Sequence, residues 1–347
     1  MTLLNLTRIA PRGLVALTCL GLVGLIVGCT GKRETGEQVL ARIKGGGKIR
    51  IAYANEKPYG YRDTKTGKVT GEAPEIAKVI AKRLGTTKIE PVITEFGQLI
   101  PGLKAGRFDV VAAGMYITPE RAEQVLFSNP TYAIGEALLV KQGNPKDIHS
   151  YEDIAKSEDL TIGVVAGAIE KTYARKVGIP DARIRAYPAP DAAVADVKAG
   201  RVDCYAGTSL TVSTLLGNLG DEAGVERAEP FSQPIVDGKS VKGFGGFVFR
   251  KGHEALRDAF NKELEGFLGT EEHRALVKPF GFTENESAGG MTTDQVLARA
   301  KAEQPGDDAD GESDEGETGE TAAKPDESSD AGTDDGADKA AAKDGDD

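Results

Sequence analysis

The apolar run Ile51-Ala52-Tyr53-Ala54 reads as a buried strand, and it leads directly into a loop carrying one acid, Glu56, and two rings, Tyr59 and Tyr61. A carboxylate set among aromatic faces suits an organic cation. The acid supplies counter-charge and hydrogen-bond acceptors, and each ring face attracts a delocalised or alkylated cation by about 0.5–2 kcal/mol. A second group lies past another strand, at Gly114–Thr118, with Tyr116 inside it and Arg121 just beyond. A guanidinium offers a planar fork to a carboxylate and stays charged when water is excluded. A third stretch, Val165–Ile169, leads into a helix whose first amides favour an anion. From the residues alone a plainer reading stays open: Glu56 paired with Lys57 or Arg62, and Arg121 on a solvated loop between Glu120 and Glu123.

Patterns for covalent or acid–base turnover are absent. The chain has no Gly-x-Ser-x-Gly, no phosphate-cradling Gly-x-x-x-x-Gly-Lys, and no histidine beside a candidate nucleophile. Its three histidines, at 149, 253 and 273, do not form a metal-ligand cluster, so neither metal nor cofactor is expected. The start of the chain points outside the cytoplasm. Arg8 and Arg12 precede an apolar run from Gly13 to Val27, followed by Ile26-Val27-Gly28-Cys29, which resembles the bacterial lipobox. That resemblance implies a signal peptide over 1–28, cleavage before Cys29 and lipidation of its sulfur. Several acyl chains on one cysteine hold a protein durably at a membrane surface. Cys204 is then the single cysteine of the folded body, which must hold together without a disulfide.

The net charge of −11 belongs to one end. Residues 305–347 carry 17 acids and 3 lysines, leaving the rest of the chain at +3. The body is near neutral without basic runs, so a nucleic-acid surface is not expected. The end itself, rich in Gly, Ala, Ser, Thr and acids and devoid of aromatics, is expected to stay unfolded as part of an acidic tail over 284–347.

These residues need elements to position them. Strand-like stretches at Lys48–Ala54, Ile89–Thr94 and Phe108–Ala113 alternate with helical ones at Pro74–Leu84 and Gln98–Ala105, the rhythm of a mostly parallel sheet. A second series comes later in the chain: Leu160–Val165, a helix from Gly167 through Lys176, Ala182–Tyr187 and Asp191–Ala199. Lys104-Ala105-Gly106-Arg107-Phe108-Asp109 in the first series is echoed by Lys198-Ala199-Gly200-Arg201-Val202-Asp203 in the second. The expected fold is therefore α/β, with two hinged lobes, each built on a central mostly parallel sheet. Residues 46–136 and 238–283 form lobe one, 137–237 form an inserted lobe two, and 29–45 form a lipidated tether. Gly243–Phe249 makes the return crossing, and Glu254–Leu268 is a long amphipathic helix packing back on lobe one. Open α/β sheets bind ligands at the carboxyl ends of their strands, here a cleft between the lobes.

Gly106-Arg107-Phe108-Asp109, Thr118-Pro119-Glu120-Arg121 and Phe127-Ser128-Asn129-Pro130-Thr131-Tyr132 together resemble the signature of extracellular solute-binding proteins for polar amino acids, the receptors of ABC importers. The resemblance runs from about Lys48 to Phe282 and implies a type II periplasmic-binding-protein fold. It places the ligand carboxylate on Arg121, backbone donors around Gly114 and at Gly167–Ile169, and a ring against the ligand at Phe96. The chain departs from the family in one informative way. The acid usual five residues after the lobe-two aspartate is Thr208 here, while Glu56 stands where a ring is common.

A cleft holding Arg121, Glu56, Tyr59, Phe96 and Tyr116 suits a compact zwitterion with a delocalised cation. "NEKPYGY" and "TGEAPEIAK" resemble the ectoine/hydroxyectoine-binding proteins. The expectation is a lipid-anchored, monomeric receptor without chemistry of its own, passing ectoine or hydroxyectoine to an ABC permease and its ATPase. A polar amino acid or a betaine is the alternative ligand, and a cyclohexadienyl-dehydratase-like enzyme the alternative class. Thr208→Ala is expected to be mild.

Overall fold

The computed structural model describes residues 33–220 and 223–302. The signal peptide expected over 1–28, the expected lipidation site Cys29 and the chain from 303 onward lie outside the described residues. Among those residues no helix is long and apolar enough to cross a membrane.

The echo in the sequence corresponds to two sheets of matching order. The first runs Ile89–Ile93, Ile49–Tyr53, Val110–Tyr116, Gly243–Arg250, Val125–Phe127, with Tyr132–Ile134 also pairing on Gly243–Arg250. The second runs Ile184–Tyr187, Ile162–Val165, Cys204–Thr208, Glu136–Lys141, Val225–Arg227. In each, the first three strands are parallel and the fourth, a crossing strand, is antiparallel. Helices such as Glu72–Leu84 and Pro190–Lys198 pack their apolar sides on these strands, with Ile76, Ile80, Val194 and Val197 buried.

The two echoed aspartates perform one structural task. Asp109 accepts the Arg50 N–H at 2.9 Å while its own N–H donates to the Arg50 carbonyl at 2.9 Å. Asp203 accepts the Thr161 N–H at 2.7 Å while its N–H donates to the Thr161 carbonyl at 3.2 Å. Each pins the third strand beside the second, so the glycine-ended helix before it and the strand after it keep their register.

Several elements differ from expectation. The third strand runs on to Tyr116, so Gly114 and Tyr116 lie within it and not in a following loop. The helix expected from Gly167 begins at Glu170, because Gly167 adopts φ +80° and breaks the chain direction. Residues 36–44, expected within the tether, form a helix started by a capping box between Thr35 and Gln38. Its Val39 and Ile43 are buried in the first lobe. Residues 284–302, expected within the acidic tail, form a 3-10 turn Glu284–Glu286 and a helix Thr293–Ala302. This segment has a lower density of acids than residues 305–347. It is fastened where the Thr293 hydroxyl donates to the Ser128 carbonyl at 2.6 Å and Val296 is buried. Gly243-Phe244-Gly245-Gly246 forms the start of the crossing strand and is buried. A Cβ on Gly243 would fall 1.8 Å from the Tyr116 ring, so the glycine gives the ring its place.

Candidate functional site

The loop after Ile49–Tyr53 closes on itself. The Glu56 and Gly60 N–H groups each donate to the other residue's carbonyl at 2.9 Å, which turns Glu56 and Tyr59 to the same side. The Tyr59 ring occupies the space over Gly114, where a Cβ would lie 2.4 Å from it; Gly114 also has φ +62°, so no other residue fits. Arg121 lies on the short helix Pro119–Ala122, capped by the Thr118 hydroxyl. Its Nη1 donates to the Tyr116 carbonyl at 2.9 Å, and its guanidinium stands 5.7 Å from the centre of the Phe96 ring. Burial lowers its pKa and the nearby Glu170 charge opposes this, so Arg121 remains a cation.

The lobes meet through these same groups. The Tyr59 hydroxyl donates to Thr208 Oγ1 at 2.7 Å, Thr208 to Thr211 Oγ1 at 3.0 Å, and Thr211 to Glu56 Oε1 at 2.9 Å. Thr208 also accepts the Thr211 N–H and so caps the helix Ser209–Leu219. Across the cleft Arg121 Nη2 donates to the Gly167 carbonyl at 2.9 Å. The cavity left between the lobes is about 30 Å³. It brings together eight of the expected residues: Glu56, Tyr59, Phe96, Gly114, Tyr116, Arg121, Ile169 and Thr208. Gly167 joins through its carbonyl.

Val165, Ala168, Tyr205 and Glu170 complete the lining. Glu170 was not expected there. Its carboxyl is pushed up to about 7 by burial, against its own helix-start amide, which lowers it. The helix start expected to receive an anion thus already carries one of the chain's own acids. Behind it Glu136, 1 % exposed, is raised well above the ordinary carboxylate range by burial and by the Glu170 charge. Both Glu136 oxygens and Glu170 Oε2 are buried with no hydrogen-bond partner among the described residues. Glu56 is pushed up to about 7 by burial, opposed by the Thr211 hydroxyl. Two carboxyls, Glu56 and Glu170, therefore line a narrow cleft with one guanidinium, and a third, Glu136, lies behind them. Such a site favours a ligand with more donors than acceptors. No group of three His, Cys, Asp or Glu able to hold a metal occurs among the described residues.

Thr211 was missed as well, although the spacing Thr208-x-x-Thr211 is that of a helix cap, and a cap at a cleft-facing strand end points its hydroxyls into the cleft. Glu170 gave a weaker signal, an acid in the first turn of a helix, which usually faces solvent.

Residues 49–284 match the bacterial extracellular solute-binding proteins, family 3. The chain is 40% identical over 249 residues to a probable amino-acid ABC transporter periplasmic-binding protein of Sinorhizobium fredii (strain NBRC 101917 / NGR234), across 71% of this chain and 81% of that protein. It is 31% identical over 212 residues to the lysine/arginine/ornithine-binding periplasmic protein of Escherichia coli (strain K12), across 60% and 76%. Among solved structures it resembles EhuB in complex with hydroxyectoine, with a TM-score of 0.69 and 36% identity over 76% of this chain and 98% of that one. It also resembles an ancestral amino acid-binding protein, a precursor of cyclohexadienyl dehydratase, with a TM-score of 0.60 and 30% identity over 70% and 98%. Two hinged α/β lobes, a cleft at their strand ends and a match spanning both lobes lead to one conclusion: the chain belongs to the bacterial extracellular solute-binding proteins, family 3, and is a solute-binding protein of the ABC-transporter type.

Proposed function

We propose that this protein is the receptor of an ABC importer for ectoine and hydroxyectoine, held at the outer face of the membrane through lipid on Cys29. The observation that carries the reading is that Arg121 and Glu56, an anion acceptor and a cation acceptor, line one cavity with Tyr59, Phe96 and Tyr116. Likeness to the hydroxyectoine-bound EhuB supports it. A cyclic amidinium has two N–H donors and a delocalised charge. The donors suit one carboxylate, Glu56, and the charge suits the rings. The ring carboxylate of the same molecule suits the fork of Arg121.

Binding exchanges the bonds that bridge the cleft. The ligand carboxylate replaces the Gly167 carbonyl at Arg121, turning a neutral acceptor into a charged one. The amidinium replaces the Thr211 hydroxyl at Glu56. Lobe two then closes with Thr208, Thr211 and the Gly167–Ile169 backbone over the bound solute, and the closed form is what the permease receives. A ligand lacking either charge leaves Arg121 or Glu56 buried and unpaired, which costs several kcal/mol.

A polar amino acid is the rival ligand, favoured by the names of the Sinorhizobium and Escherichia relatives. Thermal-shift screening of the mature protein against ectoine, hydroxyectoine, betaine, proline, glutamate and arginine decides between them. Ectoine and hydroxyectoine are expected to raise the melting temperature most. A larger shift with an amino acid and none with ectoine transfers the site to the rival.

A further inference from the structure

Glu72 opens the helix Glu72–Leu84, is 1 % exposed, and has no role in the cleft. Its Oε1 accepts the Thr131 hydroxyl at 2.7 Å. Its Oε2 is buried and has no hydrogen-bond partner among the described residues. Leaving one oxygen of a buried carboxyl unmatched is costly unless something arrives to match it. Burial pushes this carboxyl up to about 7, opposed by Thr131.

Glu72 lies in the wall of a cavity of about 640 Å³, on the first lobe beneath the segment 283–291. That volume is in the range of a small-molecule site. Leu264, Leu268, Val277, Phe282 and Met291 supply apolar lining. Glu265, Glu271, Glu284 and Glu286 also line it, against only Arg274 and Lys278 as cations, and Arg274 is engaged with Glu284 at 3.5 Å. The acidic excess disfavours the chain's own tail, with its 17 acids and 3 lysines, as occupant.

We propose that this cavity is a second ligand site, separate from the cleft, taking a small organic cation with an apolar body and at least one N–H donor. The N–H meets Glu72 Oε2, and the apolar body rests on Leu264, Leu268 and Phe282. A quaternary ammonium satisfies the charge but gives Oε2 no donor, so it ranks below a primary alkylammonium. The site does not depend on the ectoine reading. It adjoins the cleft through Phe282, whose ring lies edge-on to Tyr59 with centroids 5.8 Å apart, and through the Glu72 and Ala73 N–H groups, which donate to the Pro58 and Tyr59 carbonyls at 3.0 Å.

Titration of the full mature chain with n-butylammonium, by ligand-observed NMR and calorimetry, tests this. Saturable binding is expected, at least tenfold tighter than that of tetramethylammonium or butyrate. Glu72→Gln is expected to weaken it at least tenfold, because the amide keeps an acceptor for Thr131 but removes the charge. Leu268→Trp, which fills the cavity and leaves the carboxyl in place, is expected to abolish it. Glu56→Gln, in the cleft, is expected to leave it unchanged. Absence of saturable binding overturns the site, as does binding that is lost with Glu56→Gln and kept with Glu72→Gln or Leu268→Trp.

Discussion

Asp109 and Asp203 hold matching positions in the two lobes and make the same pair of backbone contacts, yet their surroundings differ. Asp109 is 1 % exposed and carries two guanidinium partners, Arg50 at 2.6 Å and Arg42 at 3.1 Å. Asp203 has the Thr161 hydroxyl at 2.8 Å and is only partly buried. The same asymmetry recurs at the cleft. Its first-lobe wall is charged and aromatic, and three groups there have a neighbour in their own lobe that sets them, Arg121 the Tyr116 carbonyl, Tyr59 Gly114 and Tyr116 Gly243, while Glu56 takes its hydrogen bond from Thr211 of the other lobe. The facing wall offers hydroxyls, a carbonyl and a protonatable acid, and its contacts are mostly with the other lobe. On the proposed reading, repeated topology serves two tasks: the first wall selects the ligand and the second covers it. Mutations on the first should change affinity strongly, and those on the second mildly.

The largest effect is expected from Arg121→Ala, which strips the cleft of its single guanidinium. Loss of one partner of a buried charged pair costs about 2–5 kcal/mol, so the dissociation constant for ectoine should rise on the order of 1,000-fold by calorimetry. An effect below tenfold places the ligand's anion elsewhere. In stability the counterpart is Asp109→Asn. Removing this charge leaves Arg50 and Arg42 facing a neutral amide, and a loss of roughly 3 kcal/mol in urea unfolding is expected. Asp203→Asn keeps its hydrogen bonds and should cost under about 1 kcal/mol. Equal losses would erase the distinction between the lobes.

Glu56→Gln comes next, with a weakening of about 100-fold for ectoine. The isosteric amide keeps one acceptor for the two amidinium donors but loses the charge. Unchanged affinity removes the amidinium from Glu56 and with it the reading of the loop.

Much of this was legible in the sequence because it rests on local rules. The helix and strand rhythm, the glycine-to-aspartate echo and the departure at Thr208 all concern residues near one another in the chain, and eight expected residues meet in one cavity. What the sequence concealed depends on the other lobe. Glu170 is an ordinary first-turn acid until Glu56 and Arg121 face it from the first lobe. Glu136 begins a strand, where an acid normally reaches water, and here it is 1 % exposed behind Glu170. Gly243 and Gly245 are the gaps into which the Tyr116 and Tyr132 rings fit, and those rings come from strands distant in the chain. The helices at 36–44 and 293–302 are short and amphipathic, and they form because lobe one already offers them a surface.

A fourth test uses pH. Burial pushes Glu56 up to about 7 in the folded protein, above the ordinary carboxyl value of 4.5, so the fold holds its proton between those values. Its contribution to stability is fully present below 4.5 and is lost as the pH rises through 7. Cation binding needs the ionised form. Ectoine affinity should therefore rise about tenfold from pH 5.5 to 6.5 and level off above 7, with about one proton released below the break. Glu170 lines the same space and Glu136 lies behind it, and both are raised by burial and by neighbouring charge, so a protonated neighbour keeps the loss of the Glu56 proton from being opposed. In Glu56→Gln the slope should vanish; a slope that survives belongs to Glu170.

The smallest effects belong to the closing wall, and they separate two hydroxyls that the sequence does not. Thr208 was expected to be mild, yet it accepts from Tyr59 and from the Thr211 N–H and donates to Thr211, so all three of its hydrogen-bonding positions are filled. Thr208→Val loses the cross-lobe bond and the helix cap together. A helix cap alone is worth about 0.5–2 kcal/mol, so a fall of a few degrees in melting temperature and a five- to tenfold weaker affinity are expected. Thr211→Val removes the link to Glu56, the bond the ligand itself displaces, and with it the acceptor of the Thr208 hydroxyl. Its affinity should change by about threefold or less, while small-angle scattering of the unliganded protein shows a larger radius of gyration as the closed form loses a bond. If Thr211→Val instead weakens binding as much as Glu56→Gln, the hydroxyl stays on Glu56 in the complex, and the second wall takes part in choosing the ligand as well as in covering it.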